Sequence, residues 1–240
     1  MKKEYTFEEF REIIKTLRSE NGCPWDKEQT HTSLKPCMME EAAELLAAIR
    51  IYDTCGNAEN MKEELGDILL QVVMHSQIAS EEGLFSMDDV IAEVSRKMIR
   101  RHPHVFGDVK ADTADEVLSN WDDIKKKEKE NQSWVESPLR EIPPELPALT
   151  RASKILKKQD KLYEKTPDIN ESISLLKQVV CDMENDVNSE EADKEKLEKN
   201  VADALLLVSN IAMKSKIHTE QLVTDEIEKI IDKYEPKCGK

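Results

Sequence analysis

An all-α fold is predicted by three features of the 240-residue sequence: charged residues make up 35% of it, aromatic residues only 5%, and glycines number 6. A β-sandwich or barrel of this length would carry more β-branched and aromatic residues and more turn glycines. Glu, Lys, Leu and Ala are abundant instead, and apolar residues recur with the period of amphipathic helices in most segments. The 39% apolar content is enough to bury helix faces, which argues against wholesale disorder. The longest apolar runs, such as 202–208, are far too short to span a bilayer.

The elements follow from local signals. Thr6 is an N-cap for a first helix over about 7–20, which Asn21-Gly22-Cys23-Pro24 ends. A loop through Trp25, Asp26 and His31 follows. Pro36, suited to a first turn, opens a second helix that runs to about Tyr52. Asp53-Thr54-Cys55-Gly56-Asn57 is a turn. A third helix covers about 58–82 and stops at Gly83. Ser86 caps a fourth over 87–101, which His102-Pro103-His104 terminates, and a fifth covers about 113–130. Four prolines at 138, 143, 144 and 147 then interrupt the periodicity and mark a linker. Helical pattern resumes at about 150–163, 168–188, 191–216 and 219–234.

A weak internal repeat relates the two halves. Glu64-Leu-Gly-Asp67-Ile-Leu-Leu-Gln-Val resembles Asn200-Val-Ala-Asp203-Ala-Leu-Leu-Leu-Val. The expected organisation is an N-terminal domain over 1–132, a Pro-containing linker over 133–149 and a C-terminal, degenerate helical domain over 150–240.

The formal net charge of −15 disfavours nucleic acid and other polyanionic partners unless metal ions or a basic patch intervene. Five cysteines (Cys23, Cys37, Cys55, Cys181 and Cys238) form no CxxC pair, as expected of free thiols in a reducing compartment. The first residues carry no apolar signal-peptide core. A cytoplasmic protein with neither membrane nor nucleic-acid partners is expected.

The informative constellation is Glu40-Glu41-Ala-Ala-Glu44 followed by Glu64-Leu-Gly-Asp67. At about 100° per residue, Glu41 and Glu44 lie at the edge of the apolar stripe of Met38, Ala42, Leu45 and Ile49. Glu64 and Asp67 repeat that arrangement beside Met61, Leu65, Ile68 and Val72, and Gln71 and His75 extend the polar edge. His75 there reads as a plain core histidine. The midpoint between the two acidic clusters falls near residue 54, inside the turn. An antiparallel hairpin folded there brings four or five carboxylates level. Such a cluster repels itself and persists most easily around a hard divalent cation such as Mg²⁺.

At these residues the sequence resembles the MazG-type nucleoside triphosphate pyrophosphohydrolases, whose signature is EExxE and ExxD on consecutive helices. Cys23-Pro-Trp-Asp-Lys-Glu-Gln-Thr-His31, Ser33-Leu-Lys-Pro36, Glu63-Glu-Leu-Gly-Asp67, Arg100-Arg-His-Pro-His-Val-Phe-Gly107 and Asn120-Trp-Asp-Asp-Ile-Lys125 all resemble MazG segments, over most of 7–130. The resemblance implies two tandem units of the all-α NTP pyrophosphohydrolase type, with a four-helix-bundle core completed by dimerisation or higher homo-oligomerisation. It implies Mg²⁺-dependent cleavage of a nucleoside triphosphate to monophosphate and pyrophosphate, with Mn²⁺ as a substitute metal. Metal ligands carry over to Glu41, Glu44, Glu64 and Asp67, and Glu40 or Glu41 would orient or deprotonate the attacking water. Lys97, Arg101 and Lys125 are candidates for the phosphate tail, Trp121 for the base, and Trp25 and Asp26 for further nucleotide contacts. His102 and His104 flank a proline and suit structural or phosphate-contacting roles better than zinc.

The second half departs from this pattern. Cys181, Asp182 and Asn185 align with EExxE, and Asn200 and Asp203 with ExxD, so only two of five acids survive. Neutral Asn and a thiol suit a hard cation poorly. This unit is expected to serve dimerisation or regulation, although Asp182, Glu184 and Asp186 leave a reshaped weak site open. Two other readings stand: a narrow pyrimidine dNTP pyrophosphatase on the same acids, or a helical interaction module that binds nucleotide or metal without turnover.

Overall fold

The computed structural model describes residues 4–111, 113–129, 137–189 and 193–235. Among the described residues every regular element is helical: α1 (Phe7–Arg18), α2 (Pro24–Glu28), α3 (Lys35–Cys55), α4 (Glu59–Glu81), α5 (Met87–Arg101), α6 (Pro103–Phe106), α7 (Ala114–Lys129), α8 (Ala148–Leu162), α9 (Ile169–Val187), α10 (Lys194–Lys214) and α11 (Thr219–Tyr234). They fall into two compact units, one within 1–129 and the other within 130–240. The expected boundary at 132–133 and linker residues 133–136 lie outside the described residues, as do the ends at 130 and 191–192 of two expected helices and Cys238. No described helix is long and apolar enough to cross a membrane.

Capping sets the helix starts. Thr6 accepts from the Glu9 backbone while Glu9 reaches back to Thr6, and Ser86 and Asp89 form the same reciprocal box. Gly56 ends α3 with φ of 71°, a left-handed conformation that glycine adopts without strain, and its N–H returns to Tyr52. Two short helices, α2 and α6, stand where the sequence suggested a loop and a terminator. Each begins with a proline at its first position, where the missing N–H costs no intrahelical bond. A proline after a helix therefore marked a restart as well as a stop.

In the first unit α4 packs against α1, α3 and α5. Ile14, Leu34, Val73, Met74 and Ile78 form the buried core, flanked by Phe7, Phe10, Leu17, Cys37, Leu70 and Met87. The C-terminal half of α4 is thus covered on several sides, whereas Leu65 and Leu69 in its N-terminal half are exposed. In the second unit α9 and α10 pair closely, and α8 packs on α10 and α11. Buried Asn210 there donates to the Ser172 hydroxyl and the Pro167 carbonyl, both at 2.8 Å. Asp160 accepts from Lys214 and from the Thr166 hydroxyl and amide, in that order of strength, and these hold its carboxyl at about 2.

His75 is no plain core histidine. Its Nδ1 lies 2.8 Å from Nδ1 of His31, with ring centroids 5.1 Å apart and planes within 3°. That centroid separation matches the nitrogen gap plus one ring radius at each end, so the rings lie end to end. One Nδ1 donates and the other accepts, so only a single proton sits between them. Burial first, and the neighbouring His31 second, push the His75 pKa below its ordinary value. The folded state then binds a proton at His75 less readily than the unfolded chain, so its stability contribution is full above the ordinary histidine pKa and is lost as pH falls below it. The contribution of His75 to stability should be lost between about pH 7 and pH 5, so the melting temperature of wild type relative to His75→Gln should fall over that range; paired pH series of thermal melts check it.

Candidate functional site

The α3–α4 hairpin places acids from both arms at one level. Carboxylate oxygens of Glu41, Glu64 and Asp67 lie within 4.8 Å of one another, the one such group of three or more among the described residues. Glu64 is buried, and Glu41 and Asp67 are half-buried. The two glutamates sit more centrally than the helical wheels placed them. Glu41 shares a stripe with Leu45 and Ala48, and Glu64 with Gln71 and Ile78, so the acids continue the inward face instead of edging it. The wheel had centred the stripe on Leu65, Ile68 and Val72; Leu65 in fact points away and is 51% exposed.

The electrostatics are those of like charges crowded out of water. Burial raises the Glu41 pKa most, followed by the charges of Asp67, Glu44, Glu64 and Glu40. Burial also raises Glu64, with Glu44 next; Asn60 opposes this by donating to Oε1 at 2.8 Å, and Asp67 and Glu63 add repulsion. Oε2 of Glu64 is buried with no hydrogen-bond partner among the described residues. A partnerless carboxylate oxygen among other carboxylates is the donor set a hard divalent cation takes. Glu41, Glu64 and Asp67 therefore fit such a cation. Glu44 and Glu40 are exposed and stand outside the 4.8 Å group, contributing charge to it.

The other candidates are placed as follows. Arg101 lies over Trp121, 5.2 Å from the ring centroid, and donates to Glu128 at 2.5 Å through Nη2. Arg100 also donates to Glu128, whose carboxyl is held down chiefly by Arg101. His102 meets Trp121 edge-on at 4.9 Å and tilts against His104 at 5.6 Å. Lys97 and Lys125 are half-buried and have no hydrogen-bond or ion-pair partner among the described residues. Trp25, 58% exposed, and half-buried Asp26 lie on α2. Sequence reasoning missed Asn60, whose position one turn before Glu64 was the available signal, and Arg18, whose partners are distant in sequence.

The second unit differs at the matching level. Asp186, buried and one residue beyond the aligned EExxE positions, receives the ammonium of Lys196 and the amide of Asn200. Asn200 stands at the position of Glu64 in the repeat, and Lys196 at that of Asn60. Asp182 accepts from Gln178 at 3.0 Å, and the Asn185 amide lies 3.9 Å from Cys181 Sγ.

A helical hairpin whose two arms converge carboxylates at one level defines an all-α class with a candidate cation site. Within that class, the profile of the MazG nucleotide pyrophosphohydrolase domain matches residues 29–106. The chain is 38% identical over 238 residues to the nucleoside triphosphate pyrophosphohydrolase/pyrophosphatase MazG of Thermotoga maritima, covering 95% of this chain and 84% of that one. It is 40% identical over 215 residues to the nucleoside triphosphate pyrophosphohydrolase of Escherichia coli, covering 83% and 74% respectively. It is 54% identical over 153 residues to YabN of Bacillus subtilis, an uncharacterised protein of which the match spans only 30%. The chain belongs to the MazG family.

Because Glu41 and Glu64 hold protons more tightly in the folded chain than in the unfolded one, stability without metal should decline as pH rises through their raised pKa values. A divalent cation competes with those protons. Mg²⁺ should therefore raise the melting temperature more at about pH 8 than at about pH 5.5. Asp67→Asn should abolish the Mg²⁺-induced shift, yet in a chelator melt no lower than wild type. Differential scanning fluorimetry measures each.

Proposed function

We propose that this chain hydrolyses nucleoside triphosphates to monophosphate and pyrophosphate, with Mg²⁺ held by Glu41, Glu64 and Asp67 of the first unit and with Glu44, which stands outside their group, as the fourth expected ligand. Its family makes it a hydrolase of phosphorus-containing anhydrides. The observation that carries the finer assignment is the convergence of Glu41, Glu64 and Asp67 around a partnerless buried oxygen. Bound Mg²⁺ would supply charge neutralisation and a more acidic water. The residues do the rest. Glu41, which reaches the cluster, is placed to accept a proton from that water; Glu40 beside it is exposed and adds charge. Lys97 and Lys125, without partners among the described residues, would offer ammonium groups to the phosphate tail. Arg101 braces Trp121, which would contact the nucleotide base.

The second unit is assigned no hydrolytic role. Lys196 brings the protein's own positive charge to Asp186, leaving no need for a metal there. The unit would serve dimerisation or regulation. Dimerisation of the first unit is supported by the apolar outer faces of its site-bearing hairpin, where Leu46 is 69% exposed and Ile49, Leu65 and Leu69 are also uncovered. The nucleotide pool such an enzyme would act on would be cytoplasmic, and domains over 1–132 and 150–240 would keep the whole proposed site within one unit.

Glu41→Gln should lower pyrophosphate release roughly 100-fold or more, whereas Asp203→Asn in the second unit should leave it near wild type. The reverse pattern would move the active site to the second unit, and no release from any ribo- or deoxyribonucleoside triphosphate would leave a binding module. Light scattering after size exclusion should find a dimer, and paired Leu46→Glu and Leu69→Glu should yield monomers with little activity.

A further inference from the structure

Three independent constraints fasten the α1–α3 connection to the rest of the first unit. The Arg18 guanidinium, 6% exposed, donates through Nη1 to the carbonyls of Asp26 at 2.5 Å and Gln29 at 3.1 Å. Through Nε and Nη2 it grips Glu81 on α4, at 3.1 and 2.8 Å. Burial alone would raise Glu81, but the bonds from Arg18 and Gln77 outweigh it and the carboxyl ends below its ordinary value. Arg18 thus caps the C-terminal carbonyls of α2 and pins them to α4 with one rigid fork. Second, Gly22 sits so close to the end of α1 that a Cβ would fall 2.2 Å from the Leu17 carbonyl oxygen and 2.4 Å from that of Thr16. Third, the His31–His75 bond ties the far end of the segment to α4.

What this fastened segment holds out is Trp25, 58% exposed although its backbone carbonyl is bonded by Gln29. A large apolar ring displayed on a tightly held backbone is a poor way to bury hydrophobic surface and a good way to offer a stacking face. The His31 end of the segment reaches α4, the helix that carries two of the acids. His75 lies two helical turns beyond Asp67 on α4, about 12 Å along the axis, with buried Gln71 between them.

We propose that Arg18 is a positioning residue for nucleotide binding: it fixes the α2 segment so that Trp25 stacks on the base while the acids hold the phosphate end. This rests on the nucleotide hydrolase reading above. Because every base offers a π face, Trp25 contributes affinity without base selectivity. Loss of the clamp acts on binding and spares the chemistry at the carboxylates.

The test compares full-length wild type, Trp25→Ala, Arg18→Met and Arg18→Lys. Lysine keeps the charge but cannot span two carbonyls and a carboxylate, so it separates positioning from simple loss of a buried cation. Hydrogen exchange of residues 23–33 should quicken roughly tenfold in both Arg18 variants, with α3 and α4 protection retained. KM for purine and pyrimidine triphosphates should rise roughly 10-fold in all three variants, with kcat within about twofold of wild type and the Mg²⁺-induced thermal shift intact. Unchanged exchange in Arg18→Lys, or quickened exchange with unchanged KM, overturns the proposal. So does a Trp25→Ala that keeps wild-type KM. If wild type releases no pyrophosphate from any triphosphate, the hydrolase reading fails, and the exchange data still decide whether Arg18 fastens the segment.

Discussion

Like charge held close between two helices governs the first unit. Glu41, Glu64 and Asp67 occupy positions on the inward faces of α3 and α4 where apolar side chains would pack without conflict. Their mutual repulsion and lost hydration favour opening the hairpin. The hairpin is held closed elsewhere: Leu34 at the start of α3 and Val73, Met74 and Ile78 late in α4 bury against Ile14 of α1. Hydrophobic burial at one end of the helix pair thus offsets electrostatic strain at the other, and the strained end carries the proposed site.

The second unit shows the same backbone plan without that strain. There the buried acid, Asp186, meets an ammonium and an amide supplied by the chain itself. A lysine one turn before the repeat position of Glu64, and an asparagine at that position, turn a cation-demanding hairpin into a self-satisfied one. Two substitutions at matched positions suffice because the demand for positive charge is local. The carboxylates sense whatever lies within a few ångströms and little beyond.

Helix α4 links these levels of organisation. Its N-terminal half carries Glu64 and Asp67, and its C-terminal half is wrapped by core. Buried Gln71 and half-buried His75 continue the inward stripe between them, and Glu81 near its end takes the Arg18 fork. One rigid rod therefore registers the acids, the histidine pair and the α2 segment relative to one another. The uncovered Leu65 and Leu69 mark where that rod lacks company within its own unit.

Much of this was legible in the sequence. Caps at Thr6 and Ser86, the hairpin register and three of the acids that meet across it are set by residues within a few positions of each other, or by a symmetric count about a turn, although α3 runs on to Cys55, past its expected end near Tyr52, before Gly56 caps it. Helical periodicity reports such local rules directly. It could not report which side of the wheel is inward once a stripe mixes acids with leucines, so Glu64 was placed at an edge and Leu65 inside. Nor could it find the pairing of His31 with His75, the grip of Arg18 on Asp26, Gln29 and Glu81, or the neutralisation of Asp186 by Lys196 and Asn200. Those contacts join side chains to groups on other elements. Their partners are chosen by how helices pack, and packing direction is a property of the whole unit that no single stretch of sequence encodes.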